Sequence, residues 1–389
     1  MDDLRRRQLD WFRQLHRRPE LGMEEYETTA LVRRELEAAG IRLRPCPLAT
    51  GAVAEIGAGA GPVIGLRADM DALPIMEETD LPYRSEIPGR MHACGHDFHT
   101  AALLGTAMLL KAREDTLPGR AVLVFQPAEE NTLGGRAMAE AGVAADADVF
   151  LAPHTYPAFE TGVLGIREGP VMAAVDQFTV TVKGKGTHAG LPDQGIDPIP
   201  VLAQLTLALQ TLISRRASPF DRALISVTHL DAGTTWNMIP ESGRLEGTMR
   251  TLDEGVRARL RGLFGPLCEG ICAANGCSCE IDWHEGPPAL INDPGLCVTA
   301  RRVAERLGMR WAPQADTMGG EDFAEFLRTP RVRPGFFVRI GTGVGHPNHH
   351  PGFVADPAAL LPASLFLAEM AVTLMTEGIP GKSGDDSRT

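Results

Sequence analysis

Apolar and polar residues alternate in two different ways along the chain, and each pattern predicts its own fold. Residues 1–175 hold short apolar runs typical of buried strands, at 63–66, 121–125 and 149–152. Helical patterns surround these runs, within 4–40, at about 100–113 and at 134–142. This alternation predicts an α/β domain that consists of a mixed sheet flanked by helices.

Near residue 176 the pattern changes to segments in which apolar and polar positions alternate strictly. The predicted elements then follow the order β-α-β-β-α-β, which is typical of a small ferredoxin-like α+β domain. The α/β pattern resumes with a helix at about 294–307 and the strand GFFVRIG. We therefore predict a main domain in two parts, 1–175 and 287–375, an inserted satellite domain at 176–286 and a disordered tail at 376–389.

Composition narrows the class of protein. A length of 389 residues with 44% hydrophobic residues is enough for two domains with filled cores. The formal charge of -12 argues against a nucleic acid partner, because such binding needs a basic face. The N-terminus lacks the apolar segment of a signal peptide, and no uninterrupted apolar run approaches about 18 residues, so we expect a cytoplasmic protein without a membrane span. Seven cysteines, an odd number, favour free thiols.

Reactive side chains follow each predicted strand of the main domain. The three strands run into RADMD, QPAEE and PHTYP. In sheets of this kind, ligands collect outside the carboxyl ends of the strands. Cys94 and His96 lie just before the helix predicted at 100–113, and GHPNHHPGF adds three histidines after a later strand. We expect these segments to meet at one edge of the sheet.

One cysteine, several histidines and a carboxylate form a donor set for a borderline-soft divalent ion such as zinc. A structural zinc site would use a compact set of cysteines and histidines, whereas these candidates are spread far along the chain. Because there are more than four candidates, a catalytic centre with two metal ions is the favoured interpretation. In the doublet Glu129–Glu130, one carboxylate can bind metal while its neighbour moves a proton from metal-bound water to a leaving amine.

Six motifs resemble, in order, those of the binuclear metallo-amidohydrolases that include hippurate hydrolase and indole-acetyl-amino-acid hydrolase. The motifs are RADMDALP, MHACGHDFHTA, QPAEE, KGTHAGLPDQGIDPI, GGEDFAEF and HHPGF. The resemblance covers about residues 5–372 and points to the aminoacylase-like branch of the clan that also holds carboxypeptidase G and succinyl-diaminopimelate desuccinylase. It implies two divalent ions per chain, whether zinc, manganese, nickel or cobalt. The predicted edge strand and exposed helices of the satellite domain favour a homodimer or higher oligomer formed through that domain.

The same resemblance implies a role for individual residues. The implied metal ligands are Cys94, His96, Glu130, His154 and His349. Glu129 is the implied general base, and His188 would polarise the oxyanion, often from the partner subunit. Asn237 and Arg250 would hold the polar end of the substrate, since an arginine grips a carboxylate with two hydrogen bonds.

This sequence departs from the wider clan at one motif. The clan has an H-x-D motif that supplies a ligand and its orienting aspartate, whereas the matching positions here are Asp69 and Asp71. Asp71 is therefore interpreted as an orienting carboxylate, and the pair of Cys94 and His96 replaces the lost histidine.

Several neighbouring residues keep more than one interpretation. The His-x-Pro spacing of the family favours His349 over His350 as the ligand. His92 and His99 are interpreted as supporting or structural residues, and Asp97 either as a supporting carboxylate or as the N-cap of the following helix. Glu321 and Asp322 are either acids in the first turn of a helix or supports of the site. Four further cysteines match no usual zinc spacing and are interpreted as buried small apolar side chains: Cys268, Cys272, Cys277 and Cys279.

These observations predict a metal-dependent amidohydrolase that cleaves an N-acyl amino acid into an amino acid and a carboxylic acid through a metal-activated water. Within the enzyme class, the alternative is a dipeptidase or a carboxypeptidase-type metallopeptidase with the same machinery. The alternative from another class is a non-catalytic metal-binding module. Glu129 argues against that alternative, because metal binding alone does not need a base.

Overall fold

The structure, a computed structural model, describes residues 1–143, 145–328 and 334–381. The helices within these residues are α1 (Asp2–Arg17), α2 (Tyr26–Ala38), α3 (His96–Lys111), α4 (Gly134–Glu140), α5 (Pro198–Thr211), α6 (Glu254–Ala274), α7 (Pro294–Arg306) and α8 (Leu360–Glu377). The first eight strands are β1 (Arg42–Arg44), β2 (Ala52–Ile56), β3 (Val63–Asp69), β4 (Arg120–Gln126), β5 (Val149–Tyr156), β6 (Leu164–Ile166), β7 (Gly169–Met172) and β8 (Ala174–Lys183). The later strands are β9 (Thr187–His188), β10 (Ala223–Ala232), β11 (Met238–Ile239), β12 (Ser242–Thr251), β13 (Ser278–Glu285), β14 (Leu290–Asn292), β15 (Trp311–Pro313) and β16 (Gly335–Gly341).

The chain divides into two compact units. Unit 1 comprises Met1–Val171, Ile291–Asp316 and the chain from Asp322 onward, and unit 2 comprises Met172–Leu290 and Thr317–Glu321. The predicted boundaries, at 175/176 and 286/287, lie close to these limits. The interpretation of unit 2 as an inserted satellite domain stays a prediction.

Unit 1 is built on a mixed sheet of eight strands in the order β1-β2-β4-β3-β5-β16-β6-β15. The central strands β4, β3, β5 and β16 run parallel to one another. At one side of the sheet, β2 runs antiparallel to both of its neighbours, β1 and β4. Every residue of β3 and of β16 is buried, as expected for parallel strands covered on both faces. The predicted mixed sheet flanked by helices is confirmed. The short strands β1, β2, β6 and β15 were not predicted, because they lack the long apolar runs of the central strands.

Helix α3 lies at the centre of unit 1 and packs against α1 and α8. The segment Pro357–Glu377, which includes α8, is by length and composition apolar enough to cross a membrane. Most of this segment is buried inside unit 1, and the core helix of a globular protein passes the same test. Because α8 extends to Glu377, the predicted tail at 376–389 begins too early; residues 382–389 lie outside the described residues.

Unit 2 contains an antiparallel sheet in the order β10-β12-β8-β13, against which α5 and α6 pack. Its apolar core includes Phe178, Leu245 and Phe264. The N-cap of α6 is Asp253, whose carboxylate accepts the backbone N–H of Val256 at 2.8 Å. A further pair of short strands, β9 and β11, was not predicted and carries residues discussed below.

Candidate metal centre

Most candidate ligands of unit 1 lie at or after the ends of three strands of its sheet. Glu129 and Glu130 lie in the turn after β4, His154 lies near the end of β5, and His349 lies in the loop after β16. Since β4, β3, β5 and β16 are parallel, their carboxyl ends share one edge of the sheet. The start of α3 reaches the same edge and supplies the remaining candidates.

A glycine brings the start of α3 close to β5. Gly95 is the N-cap of α3 and has φ 86°, in the left-handed region. A Cβ atom on this residue would lie 2.6 Å from Cγ2 of Thr155, so no larger residue fits without movement. The helix therefore begins at His96 rather than near residue 100, and the prediction that His96 lies on a loop before the helix is wrong. The alternative interpretation of Asp97 as the N-cap is also wrong, since Gly95 holds that position.

The side chains of the five predicted ligands converge. Sγ of Cys94 lies 3.6 Å from Nε2 of His154, and Nε2 of His349 lies 3.4 Å from Oε1 of Glu130. Nε2 of His96 lies 3.8 Å from the same Glu130 oxygen. The ligand atoms form two groups whose members lie within 4.8 Å of one another, namely Cys94 with His96 and His154, and Cys94 with Glu130 and His349. Cys94 is common to both groups.

Two buried atoms at the centre fit a metal ion. Among the described residues, Nε2 of His96 and Oε1 of Glu130 have no hydrogen-bond partner, although each atom is shielded from solvent. A buried polar atom without a partner is costly, and a bound cation would satisfy both atoms. The donor set of thiol sulfur, imidazole nitrogen and carboxylate oxygen is the one that zinc and similar ions take.

The hydrogen bonds of the histidines point their Nε2 atoms at the centre. Nδ1 of His154 donates to the backbone carbonyl of Thr155 at 2.8 Å, and Nδ1 of His96 lies 3.1 Å from Oδ1 of Asp71. Such contacts fix the tautomer of a metal-binding histidine and its ring orientation. Oδ2 of Asp71 also accepts the backbone N–H of Glu130 at 2.9 Å, so one carboxylate holds two candidate ligands.

Burial and charge set the protonation of the ligands. Burial, together with the nearby Glu130 carboxylate, raises the pKa of the Cys94 thiol well above its usual range. Burial lowers the pKa of His154, which therefore stays neutral, the form that binds metal. Burial also opposes charge on His96, but Asp69, Cys94 and Asp71 together outweigh it and raise the pKa of His96. The nearby carboxylate of Glu130, whose Oε1 lies 3.4 Å from Nε2 of His349, raises the pKa of His349.

The structure separates the alternatives for the remaining histidines. His349 faces Glu130, whereas Nδ1 of His350 accepts the backbone N–H of Gly352 and its ring stacks on His346 at 4.0 Å. His349 is thus the member of the pair that lies with the other candidates. His92 is wholly buried, and burial lowers its pKa to about 4.

Asp322 lies beneath the centre in a buried polar network. Nη2 of Arg67 donates to Oδ1 of Asp322 at 2.8 Å, and Nη1 of Arg67 donates to Asp69 at 2.6 Å. Gln126 and the backbone N–H of Gly135 also donate to Asp322. Arg67 was not singled out from the sequence, because an arginine inside a strand motif carries no sign that it is buried.

The residues predicted to touch the substrate belong to unit 2. His188 lies on β9 opposite Met238 of β11, and the backbone N–H of Ala189 donates to the carbonyl of Asn237 at 3.0 Å. His188 and Asn237 are exposed. Arg250, on β12, is half-buried and donates to the carbonyl of Met318 at 3.2 Å. Glu321 also belongs to unit 2.

The four cysteines of unit 2 are thiols of a packed region. Burial raises the pKa of Cys268 and of Cys272 to about 12, so both are protonated at neutral pH. Cys277 is buried and Cys279 is half-buried. These cysteines do not appear among the metal-binding groups of the described residues, and all seven cysteines of the chain are free.

Comparison with known proteins identifies the family. The model of peptidase family M20/M25/M40 matches residues 65–373, which is most of the chain. The chain belongs to peptidase family M20/M25/M40. The family resemblance noted from the motifs is confirmed, and so is the predicted enzyme class, a metal-dependent amidohydrolase.

Individual M20 relatives agree along nearly the whole chain. The N-acetyl-L-cysteine deacetylase of Bacillus subtilis (strain 168) is 45% identical over 374 residues, which cover 96% of this chain and 89% of the relative. IAA-amino acid hydrolase ILR1-like 5 of Arabidopsis thaliana is 34% identical over 393 residues, which cover 97% of this chain and 89% of the relative. A crystal structure is known for the Bacillus subtilis YXEP protein, a dinuclear metal-binding peptidase of the M20 family. It superposes with a TM-score of 0.87 at 40% identity, and the match covers 96% of this chain and 99% of the YXEP chain.

Proposed function

We propose that this M20 chain removes the acyl group from an N-acyl amino acid and holds two divalent ions, whether zinc, manganese, nickel or cobalt. The observation that carries the proposal is the pair of ligand groups that share Cys94. Oε2 of Glu129 lies 4.0 Å from Nε2 of His96, beside both groups. Glu129 also forms a candidate group with His96 and Glu130, and we assign it as the base because neither of the two groups that share Cys94 includes it. A carboxylate adjacent to a metal centre is the arrangement that hydrolysis needs.

When bound, the ions would polarise the scissile carbonyl and activate the attacking water. Glu129 would accept a proton from that water on its carboxylate and deliver it to the nitrogen of the leaving amine. Only 9% of Glu129 is exposed, which limits competition from bulk solvent for that proton. Asp71 would hold His96 and the backbone of Glu130 in place during the reaction.

For the substrate, we propose an N-acyl amino acid with a free carboxylate. Arg250 would bind that carboxylate, with Asn237 beside it, and His188 would stabilise the oxyanion. The two M20 relatives named above are an N-acetyl-L-cysteine deacetylase and an IAA-amino acid hydrolase, and both names describe an acyl-amino acid as substrate.

For the assembly, we propose a homodimer through unit 2, in the cytoplasm. Strand β10 lies at one side of its sheet, where a second copy could pair with it. Unit 2 also has exposed apolar side chains, at Leu207, Leu230, Trp236 and Met238. In such a dimer His188 would serve the centre of the partner subunit.

The deciding experiment compares the two members of the glutamate doublet. Metal content by elemental analysis and hydrolysis of N-acetyl and N-benzoyl amino acids are measured for the wild type, Glu129→Ala and Glu130→Ala. We expect Glu129→Ala to keep its metal and lose roughly 10²–10⁴-fold in kcat, as for removal of a general base. Glu130→Ala should lose metal together with activity. If Glu129→Ala were as active as the wild type, the assignment of the base would be wrong.

The same substrate panel separates the alternatives. Preferential cleavage of dipeptides would favour the dipeptidase or carboxypeptidase alternative. A protein that binds metal but is inert on every substrate with added zinc, manganese, nickel or cobalt would be a binding module.

A further inference from the structure

The turn that carries Glu129 has an unusual backbone. Ala128, the residue before Glu129, is buried and has φ 57°, in the left-handed region that alanine seldom adopts. Its carbonyl accepts the backbone N–H groups of Leu133 and Gly134, so the turn folds back on itself. A residue in this conformation persists only where its surroundings hold it.

A distant glutamate holds this residue. Oε1 of Glu25 accepts the backbone N–H of Ala128 at 2.8 Å, across 103 positions of sequence. On the other side of Glu129, Asp71 accepts the backbone N–H of Glu130 at 2.9 Å. The peptide N–H groups on both sides of Glu129 therefore donate to buried carboxylates from two different parts of the chain.

Glu25 accepts the backbone N–H of Ala128 instead of capping the helix that it precedes. Glu25 is the N-cap residue of α2, yet its side chain accepts no hydrogen bond from that helix. Glu20 does so instead, because its carboxylate accepts the backbone N–H groups of Glu27 at 3.0 Å and Thr28 at 2.8 Å. The side chain of Glu25 can therefore accept the backbone N–H of Ala128.

Burial of the Glu25 carboxyl group costs folding free energy. The residue is 0% exposed, and burial raises the pKa of its carboxyl group. A buried carboxyl group costs stability unless it is hydrogen-bonded. The adjacent chain is also shaped for the turn, since a Cβ atom on Gly22 would lie 3.1 Å from Cα of Ala128.

We propose that Glu25 is a positioning residue for Glu129, which it holds in place through the peptide group of Ala128. The inference rests on the proposed function, in which Glu129 is the general base. Asp71 still holds Glu130 when Glu25 is changed, so loss of Glu25 should misplace the base while the metal ligands stay together. The contact acts on the proton-transfer step and not on substrate or metal binding.

The test compares Glu25→Leu, which removes the acceptor, with Glu25→Gln, which keeps a carbonyl oxygen for the Ala128 N–H. Glu20→Ala is the matched control, because it removes the cap of α2 and weakens the same segment without touching the turn. We expect Glu25→Leu to lose roughly 10- to 100-fold in kcat with little change in KM or metal content, as for loss of a supporting contact. Glu25→Gln should keep kcat within about threefold of the wild-type value, because its carbonyl oxygen can still accept the Ala128 N–H. Glu20→Ala should lower the melting temperature and leave kcat unchanged.

A second measurement does not depend on activity. Hydrogen–deuterium exchange, read by mass spectrometry on peptides covering residues 126–134, should be faster in Glu25→Leu and unchanged in Glu25→Gln and Glu20→Ala. Unchanged kcat in Glu25→Leu overturns the proposal, and so does a loss of kcat that Glu20→Ala shares or that Glu25→Gln fails to rescue. If the wild type hydrolyses no amide, the proposed function fails by itself. The exchange data then decide whether Glu25 holds the turn.

Discussion

Nε2 of His99 accepts the backbone N–H of Thr155 at 2.8 Å. An acceptor nitrogen carries no proton, so Nδ1 is the protonated atom, and it donates to Oδ1 of Asp69 at 2.5 Å. Both ring nitrogens are thus engaged by the protein. His99 supports the strand end that bears His154 and leaves no nitrogen for a metal ion.

We therefore predict that His99→Gln keeps the metal content of the wild type. The substitution disturbs a buried hydrogen bond to Asp69, so the free energy of unfolding should fall by about 1–3 kcal/mol. Elemental analysis and urea denaturation measure the two quantities, and His154→Gln serves as the control that should lose metal. Loss of a whole metal equivalent in His99→Gln would show that His99 is a ligand.

Cys94 should matter for both metal ions, because its sulfur belongs to both ligand groups. We predict that Cys94→Ala loses both equivalents at a metal concentration at which His349→Ala loses only one. The measurement is elemental analysis after gel filtration at matched concentrations of free zinc. If Cys94→Ala retained one equivalent, the sulfur would serve a single ion.

The convergence of the candidate ligands could be predicted from the sequence because their signals are local. Cys94 and His96 stand in a short motif just before an apolar helical run, and the glutamate doublet follows an apolar run that predicts a strand. The carboxyl ends of parallel strands share one edge, so strand assignments alone indicated that these motifs meet. The start of α3 was placed too late, since three of the four side chains in its first turn, His96–His99, are polar, although all four are buried.

The supporting residues could not be predicted because their partners are distant in sequence. Nothing in the segment around Glu25 indicates that its side chain reaches Ala128, and Arg67 gives no sign of its contact with Asp322. These contacts depend on the assembled sheet. Backbone N–H donors such as those of Ala128 and Thr155 have no side-chain signature at all.

The stability of unit 1 should depend on pH through His16. Burial alone would lower the pKa of His16, but hydrogen bonds with Asp97 at 2.7 Å and Glu77 at 3.2 Å outweigh it and raise that pKa from 6.5 to about 9. Protonated His16 therefore stabilises the folded state fully below pH 6.5, and this stabilisation is lost as the pH rises through about 9. This difference corresponds to about 3 kcal/mol of unfolding free energy.

The variant His16→Gln tests this dependence because glutamine does not titrate. Urea denaturation at about pH 6 and about pH 9.5 should show a loss of up to about 3 kcal/mol in the wild type that His16→Gln lacks. At the lower pH the variant should be the less stable protein. Parallel pH profiles of the two proteins would mean that folding does not raise the pKa of His16.

An ion pair at the edge of the unit 2 core gives the last prediction. Nε and Nη2 of Arg257 donate to the two carboxylate oxygens of Asp176 at 2.9 and 2.8 Å, and both residues are buried. Burial opposes the charge of Arg257, but the contact with Asp176 outweighs it and raises the pKa of the guanidinium group. Removing one partner leaves the other charge buried and uncompensated, which costs roughly 3–5 kcal/mol.

Arg257→Met should therefore destabilise unit 2 by about this amount, whereas the double variant Arg257→Met with Asp176→Leu should recover most of the loss, because it buries no lone charge. Hydrogen exchange followed along a urea titration shows where the loss falls. If unit 2 is a separate domain, its peptides should exchange at lower urea in Arg257→Met while those of the sheet of unit 1 keep their wild-type midpoint. A single shared transition in both units would mean that the two fold as one cooperative body, and the prediction of an inserted domain would be wrong.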